Sequence, residues 1–435
     1  MSIPLDRLYT FLQSLCNQDD ILIYRFFPHG SRNIQDCGLL DNRLFQIRSL
    51  FFHELLKKQS MICHDQEPLT FGMNHPVIDY PHPAEVPRHP YRGEPGLVHF
   101  FNVYDKVLLC HSELNSKELE KYEKQGCIGV YYWSHALIAR DWFRYAEYEK
   151  KFESSKDSKF SFLIYNRAWA GTREYRLKFV EMLIKSGLHS QCLTKFNPID
   201  QGLQYRDHVF SNTELQISNY DFENYFPLNT FDATSSADFV IDDYVSTDIE
   251  VVLETLFDDT RIHLTEKTLR PIACGQPFIL AATPGSLEYL RRYGFETFSS
   301  VIDESYDTEP DPVKRLERII EVMKSIQNLN ADKKAELHSI ALRNRARFFS
   351  KDFHHQVVEE FCNNLARGLE EMKKYCRASF LKHYLSLQSS TQVGPTTLMK
   401  FESAKECTDL LAWVESQAAD LIIDPSQLSS GANSM

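Results

Sequence analysis

The chain has 435 residues, 43% hydrophobic and 25% charged, which excludes wholesale disorder and supplies apolar side chains for two or three domain cores. A formal net charge of −12 excludes an overall basic nucleic-acid binder, while leaving room for a local basic groove. Its 16 Gly and 18 Pro exclude a collagen-like or linker-like chain.

No apolar run approaches the ~20 residues that span a bilayer, so no membrane span is expected. The first sixteen residues lack a basic start followed by an apolar block, so no secretory leader is expected either. The 10 Cys are scattered singly, with no Cys-x-x-Cys pair, and several sit in apolar runs such as Met61-Ile62-Cys63 and Leu108-Leu109-Cys110. That pattern predicts reduced, buried thiols in a cytoplasmic protein.

In chain order, residues 20–27 read as a strand, and 44–58 carry Leu44, Ile47, Leu50, Phe51 and Leu55 at helical spacing. Residues 61–64 read as a second strand, entering the loop Asp65-Gln66-Glu67-Pro68. The stretch 74–95 is rich in Pro and His and is expected to be irregular. Residues 106–110 form a buried strand; a helix opens after His111 and ends near Gly126; 127–133 form a strand and 136–148 a helix. The charged stretch 149–159 reads as a linker.

The alternation then restarts. Residues 160–165 are a predicted strand and 172–186 a helix stopped by Gly187. Residues 239–241 and 249–257 read as strands or buried edges, 266–274 as a short helix and 277–281 as a strand. Residues 286–293 make a helix closed by Gly294, and 295–298 a final short strand. Amphipathic helices are expected over 313–326, 331–349 and 354–375. Beyond Gln388 the chain turns polar, with one amphipathic piece over 404–423 and a frayed end.

Repeated strand–helix alternation predicts an α/β fold with parallel, doubly wound sheets. Two such halves predict two Rossmann-like domains facing a central cleft, residues 1–150 and 160–350, with C-terminal helices over 351–388 packing back and a polar tail over 389–435. Ligands in such folds sit beyond the carboxyl ends of the strands.

The most informative stretch is Leu264-Thr265-Glu266-Lys267-Thr268-Leu269-Arg270-Pro271-Ile272-Ala273-Cys274-Gly275-Gln276-Pro277. Thr265 is a candidate N-cap, with Glu266 and Lys267 in the first helical turn. An oxyanion there would meet free N–H groups and the positive end of the helix dipole. Lys267 and Arg270 would neutralise its remaining charge, and Glu266 would accept hydrogen bonds from a ribose or sugar diol. A capped surface helix with an ordinary charged first turn is the competing reading.

This stretch resembles the donor-binding motif of nucleotide-sugar glycosyltransferases with the two-Rossmann GT-B fold. Fucosyltransferase-type enzymes carry a closely similar sequence: Thr-Glu-Lys, apolar, small, Gly, x-Pro, apolar strand. The run Ser161-Phe162-Leu163-Ile164-Tyr165-Asn166-Arg167-Ala168-Trp169-Ala170-Gly171-Thr172-Arg173 is similar to a second landmark of that family. The resemblance implies that Asn166, Arg167 and Arg173 face the donor diphosphate beside Glu266 and Lys267; Thr265 and Arg270 join this donor-binding set from the helix-start reading above. It also implies a nucleotide diphosphate-sugar as co-substrate, with neither cofactor nor metal. In general character, though by no single motif, the chain also resembles phage glycosyltransferases that decorate hydroxymethylated pyrimidines in DNA.

A glycosyl acceptor hydroxyl must lose a proton as it attacks the anomeric carbon, and Asp65 and Glu67 are the candidate bases. The alternative for these two is a turn cap and a solvated surface carboxylate. Glu254, Trp169 and Gly285 are candidate contacts to the sugar or base, with core packing or a strand edge as the competing fate. The His75, His82, His89 and His99 spacings match no standard zinc pattern. The expected activity is therefore transfer of a sugar from a nucleotide-sugar donor to an acceptor hydroxyl on a DNA base or a glycan. A non-catalytic nucleotide- or sugar-binding protein of the same fold is the alternative.

Overall fold

A computed structural model describes residues 21–25, 60–64, 107–124, 127–153, 158–200, 202–218, 221–226, 238–361, 363–368 and 371. The chain divides into two units, one of Met1–Ser112, Lys117–Ser134 and His355–Met435, the other of Glu113–Ser116 and His135–His354.

In the first unit, β1 (Ile21–Arg25), β2 (Ser60–His64), β3 (Val107–His111) and β4 (Cys127–Tyr131) form a parallel sheet in that order. Helix α1 (Lys117–Glu123) connects β3 to β4. Leu109, Cys110 and Val130 are fully buried, as expected for strands of a parallel sheet covered on both faces. The C-terminal helical stretch returns to this unit: Phe361 packs on Tyr132, and Asn364 donates to the Tyr131 carbonyl at 2.6 Å.

After the short piece Glu113–Ser116, the second unit resumes at His135 within α2 (Ser134–Trp142). It continues through β5 (Phe160–Asn166), α3 (Tyr175–Ser186), β6 (Cys192–Phe196) and the small hairpin β7 (Ile199–Asp200) and β8 (Leu203–Gln204). Then come α4 (Ile241–Val245), β9 (Thr247–Leu253), α5 (Glu266–Ala273), β10 (Phe278–Ala281) and α6 (Ser286–Arg292). Two long helices close it, α7 (Pro312–Ile326) and α8 (Ala331–Phe349). The main sheet is all parallel, in the order β10-β9-β5-β6.

Register explains the two faces of this sheet. Leu163 lies opposite Glu250 and Leu193, and Tyr165 lies opposite Lys195, so these residues share one face. Phe162, Ile164 and Asn166 point the other way, where the Asn166 amide meets the α3 backbone. Alpha-helix boundaries follow local chemistry. Gly187 ends α3 in the left-handed region at φ 75°, and Asp311 caps α7 through the N–H groups of Val313 and Lys314.

Three expectations are corrected. Residues 239–241 are not a strand: Val240 is half-exposed and precedes α4, whose first turn carries Asp242 and Asp243. Residues 295–298 form no strand, although Phe295 and Phe298 are core side chains, Phe298 meeting Phe278 edge to face. The stretch 149–153 is folded rather than a bare linker. Phe152 is fully buried, and Arg345 bonds the Ala146 carbonyl at 2.6 Å and Glu153 at 2.8 Å.

Candidate functional site

The site lies at the carboxyl ends of β5 and β9, where Glu254 immediately follows β9. Its carboxylate is fully buried and faces the start of α5. Oε1 accepts from Thr265 N at 2.9 Å, Thr268 N at 3.2 Å and Thr268 Oγ1 at 2.6 Å. Oε2 accepts from Thr265 Oγ1 at 2.8 Å and Thr255 N at 3.1 Å. Thr265 is the N-cap, its Oγ1 accepting from Lys267 N at 3.3 Å. The amino end of α5 is therefore occupied by the chain's own carboxylate. This corrects the expectation of free N–H groups awaiting an oxyanion, and it removes Glu254 as a sugar or base contact.

The anchored turn presents Glu266 and Lys267. Lys267 Nζ donates to Glu266 Oε1 at 2.8 Å and to Thr265 Oγ1 at 3.1 Å, and remains about a quarter exposed (23%). Glu266 is buried, with its second oxygen 3.8 Å from His135 Nε2. His135 in turn meets His263 edge to face at 5.0 Å between centroids.

Arg270, one turn further along α5, has a different role from the one expected. It is buried on the sheet, with Nη2 2.7 Å from Glu250 Oε1 and Nε 2.8 Å from Tyr244 Oη. Tyr244 donates to the other Glu250 oxygen at 2.6 Å, closing the network. Burial opposes the guanidinium charge, but Glu250, Tyr244 and Tyr165 outweigh it and hold Arg270 well above its ordinary pKa. With Nε and Nη2 committed to these core partners, Arg270 acts as a structural arginine.

Tyr165 joins this network to Arg167. The guanidinium carbons of Arg270 and Arg167 lie 4.3 and 4.7 Å from its ring centroid. Its hydroxyl donates to Asp243 at 2.6 Å, and Asp243 also pairs with Lys195. Burial, reinforced by repulsion from Arg270, pulls the Arg167 pKa down to about 10.

The other predicted residues have partners of their own. Arg173 donates from Nε to the Ala170 carbonyl at 3.2 Å. Asn166 is fully buried, its Nδ2 donating to the Arg176 carbonyl at 3.2 Å. Trp169 is a core residue: fully buried, its Nε1 bonds the Asn197 carbonyl at 3.0 Å within a cluster with Leu177, Phe196 and Phe222. Gly285 precedes α6 at φ 85°, and its N–H is bonded to the Asp307 carbonyl at 2.9 Å. Asp65, Glu67 and the His-rich loop lie outside the described residues. The structure thus joins Thr265, Glu266, Lys267 and Glu254 in one turn and Arg270 with Arg167 around Tyr165.

Sequence reasoning missed Tyr165, Lys195, Asp243, Tyr244 and His135. One signal was present: Glu250 interrupts the apolar run Ile249–Leu253, and a carboxylate inside a buried parallel strand requires a buried cation. Also missed was Asp307, which accepts from Leu287 N with both oxygens at 3.2 Å and so caps α6. Among the described residues, no three His, Cys, Asp or Glu side chains converge as a metal-ligand group, and no helix is long and apolar enough to cross a membrane. No family model, curated protein or solved structure matches the chain.

Proposed function

We propose that this protein is a glycosyltransferase that moves a sugar from a nucleotide diphosphate-sugar to an acceptor hydroxyl. The proposal includes the two-Rossmann GT-B architecture that the sequence resemblance implies. The observation that carries it is the anchored turn Thr265-Glu266-Lys267 at the carboxyl end of a parallel strand, where a fixed hydrogen-bond acceptor stands beside a fixed cation. Glu266 suits a hydroxyl pair on ribose or sugar, and Lys267 suits a phosphate oxygen. Arg167 and Arg173, on the segment following β5, would add positive charge to the diphosphate.

In the reaction, a bond forms between the acceptor oxygen and the anomeric carbon as the bond from that carbon to the β-phosphate oxygen breaks. The acceptor proton goes to a carboxylate, assigned to Asp65 or Glu67. Negative charge gathers on the departing diphosphate, where Lys267 and Arg167 stabilise it. The acceptor is a hydroxymethylated pyrimidine in DNA or a glycan hydroxyl.

The test is nucleotide release from UDP- and GDP-sugars, with CMP-sugars as monophosphate controls, in the presence of hydroxymethylated DNA or simple glycans. Acceptor-dependent release from one diphosphate donor supports the proposal. Tight donor binding without turnover on any acceptor assigns the protein to non-catalytic nucleotide or sugar binding instead.

A further inference from the structure

The polar atoms of Glu254 are engaged from every side. Its backbone N–H donates to the Ala281 carbonyl at 3.0 Å, tying β9 to β10. Its carbonyl accepts from Tyr175 Oη at 2.7 Å and Arg176 Nη2 at 2.9 Å, both from α3. Arg176 is itself buried and also holds the Leu253 carbonyl at 2.7 Å and the Ala168 carbonyl at 2.5 Å. The carboxylate takes the five further bonds to Thr255, Thr265 and Thr268 described above. One residue therefore fixes the end of β9 against α3 and β10 and fixes the start of α5 against both.

We infer that Glu254 is a positioning residue that serves as an internal anion: it occupies the N-terminus of α5 permanently and thereby sets the orientation of Glu266 and Lys267. Thr265 and Thr268 bracket Glu266 and Lys267 in sequence, and both are held by the same carboxylate through main chain and side chain. A fully buried carboxylate with its oxygens filled by N–H and O–H donors has no capacity left for a ligand hydroxyl. A phosphate oxygen entering the helix terminus would also meet this negative charge. Donor phosphates are then gripped by side-chain cations rather than by the helix terminus. This inference rests on the donor-binding reading of the same turn for its functional consequence, while the capping role stands on geometry alone.

The same chemistry recurs next door. The N-terminus of α6, after β10, is capped by Asp307. Two consecutive strand-to-helix turns of this sheet therefore carry their own carboxylate.

The experiment replaces the missing group in trans. Glu254→Ala deletes a CH2–carboxylate fragment that acetate reproduces. Melting temperature and affinity for UDP and GDP are measured for wild type and variant in sodium acetate and in sodium chloride of equal ionic strength. The expected result is that acetate, but not chloride, raises the variant's melting temperature by several degrees and leaves the wild type unmoved. Nucleotide affinity, lowered at least tenfold by the substitution, returns in parallel with acetate. Identical behaviour in acetate and chloride overturns the internal-anion role. Acetate that restores stability without restoring affinity, in a protein whose wild type binds nucleotide, overturns the positioning role. Acetate stabilisation in a protein whose wild type binds no nucleotide upholds the internal anion and rejects the donor reading, so the two failures are distinguishable. If Glu254→Ala does not fold, Thr268→Val deletes only the 2.6 Å hydroxyl contact. It is expected to raise the donor KM several-fold with kcat little changed, and an unchanged KM overturns the positioning role.

Discussion

Arg270 offers the sharpest test of how the second sheet is built. Arg270→Met keeps most of the side-chain volume and removes the guanidinium that lies 2.7 Å from Glu250. The two side chains are 3% and 1% exposed, so water cannot replace the lost partner. Breaking a buried pair in this way costs about 3–5 kcal/mol, because the remaining carboxylate is left uncompensated. In a unit of this size each kcal/mol lowers the melting temperature by roughly 2–4 °C, so a fall of about 10 °C is expected. Replacing both members, Glu250→Leu with Arg270→Met, removes the stranded charge and recovers most of the loss. Urea and thermal unfolding followed by circular dichroism on wild type, both single variants and the double variant complete the cycle. A loss below about 1 kcal/mol for Arg270→Met, or additive losses in the double variant, would refute the buried network. A donor-binding Arg270 predicts the opposite pattern, with stability retained and only nucleotide affinity lost.

Two further outcomes follow from other capped turns. Burial raises the Asp307 carboxyl from 3.8 to about 6, against the pull of its backbone N–H bonds. The unfolded chain therefore ionises first, and wild-type stability falls as pH rises from about 4 to about 6 and stays reduced above that. That rise corresponds to about 3 kcal/mol. Asp307→Asn retains an acceptor for Leu287 N and lacks this loss, so the stability difference should move in the variant's favour across that window; a pH-independent difference contradicts the assignment. Gly285→Ala places a side chain at φ 85°, where the nearest atom is Ile262 Cδ1 at an unhindered 3.7 Å. The cost is therefore backbone strain of about 1–2 kcal/mol, read by urea unfolding, and a neutral variant would refute it.

What the sequence made legible was local. The stops at Gly187 and Gly294, the Thr265 cap and the helix over 331–349 follow from propensity and capping chemistry, and the structure has them. The parallel α/β character followed from alternation. Tertiary pairings were not legible, because they depend on register. Nothing near Tyr165 in sequence announces that Lys195 lies opposite it, or that Asp243 arrives from a helix 78 residues later. Glu254 shows the limit most clearly. Its apolar flank fits both a cleft-lining carboxylate and a buried cap, and only the fold brings Thr265 and Thr268 onto it. Arg270 near the start of a capped helix fits an oxyanion contact and Trp169 fits a stacking platform, but Glu250 and the surrounding aromatic cluster direct the two side chains inward.

The function proposed for the site depends on whether the turn held by Glu254 binds a nucleoside diphosphate through Lys267. Calorimetric titration of UDP and GDP into wild type and Lys267→Ala measures it directly. Saturable binding of one of the two nucleotides by wild type is expected, with at least tenfold weaker binding by the variant and unchanged melting temperature in the absence of nucleotide. Equal affinity in the two proteins, or no binding of either nucleotide by wild type, would contradict it.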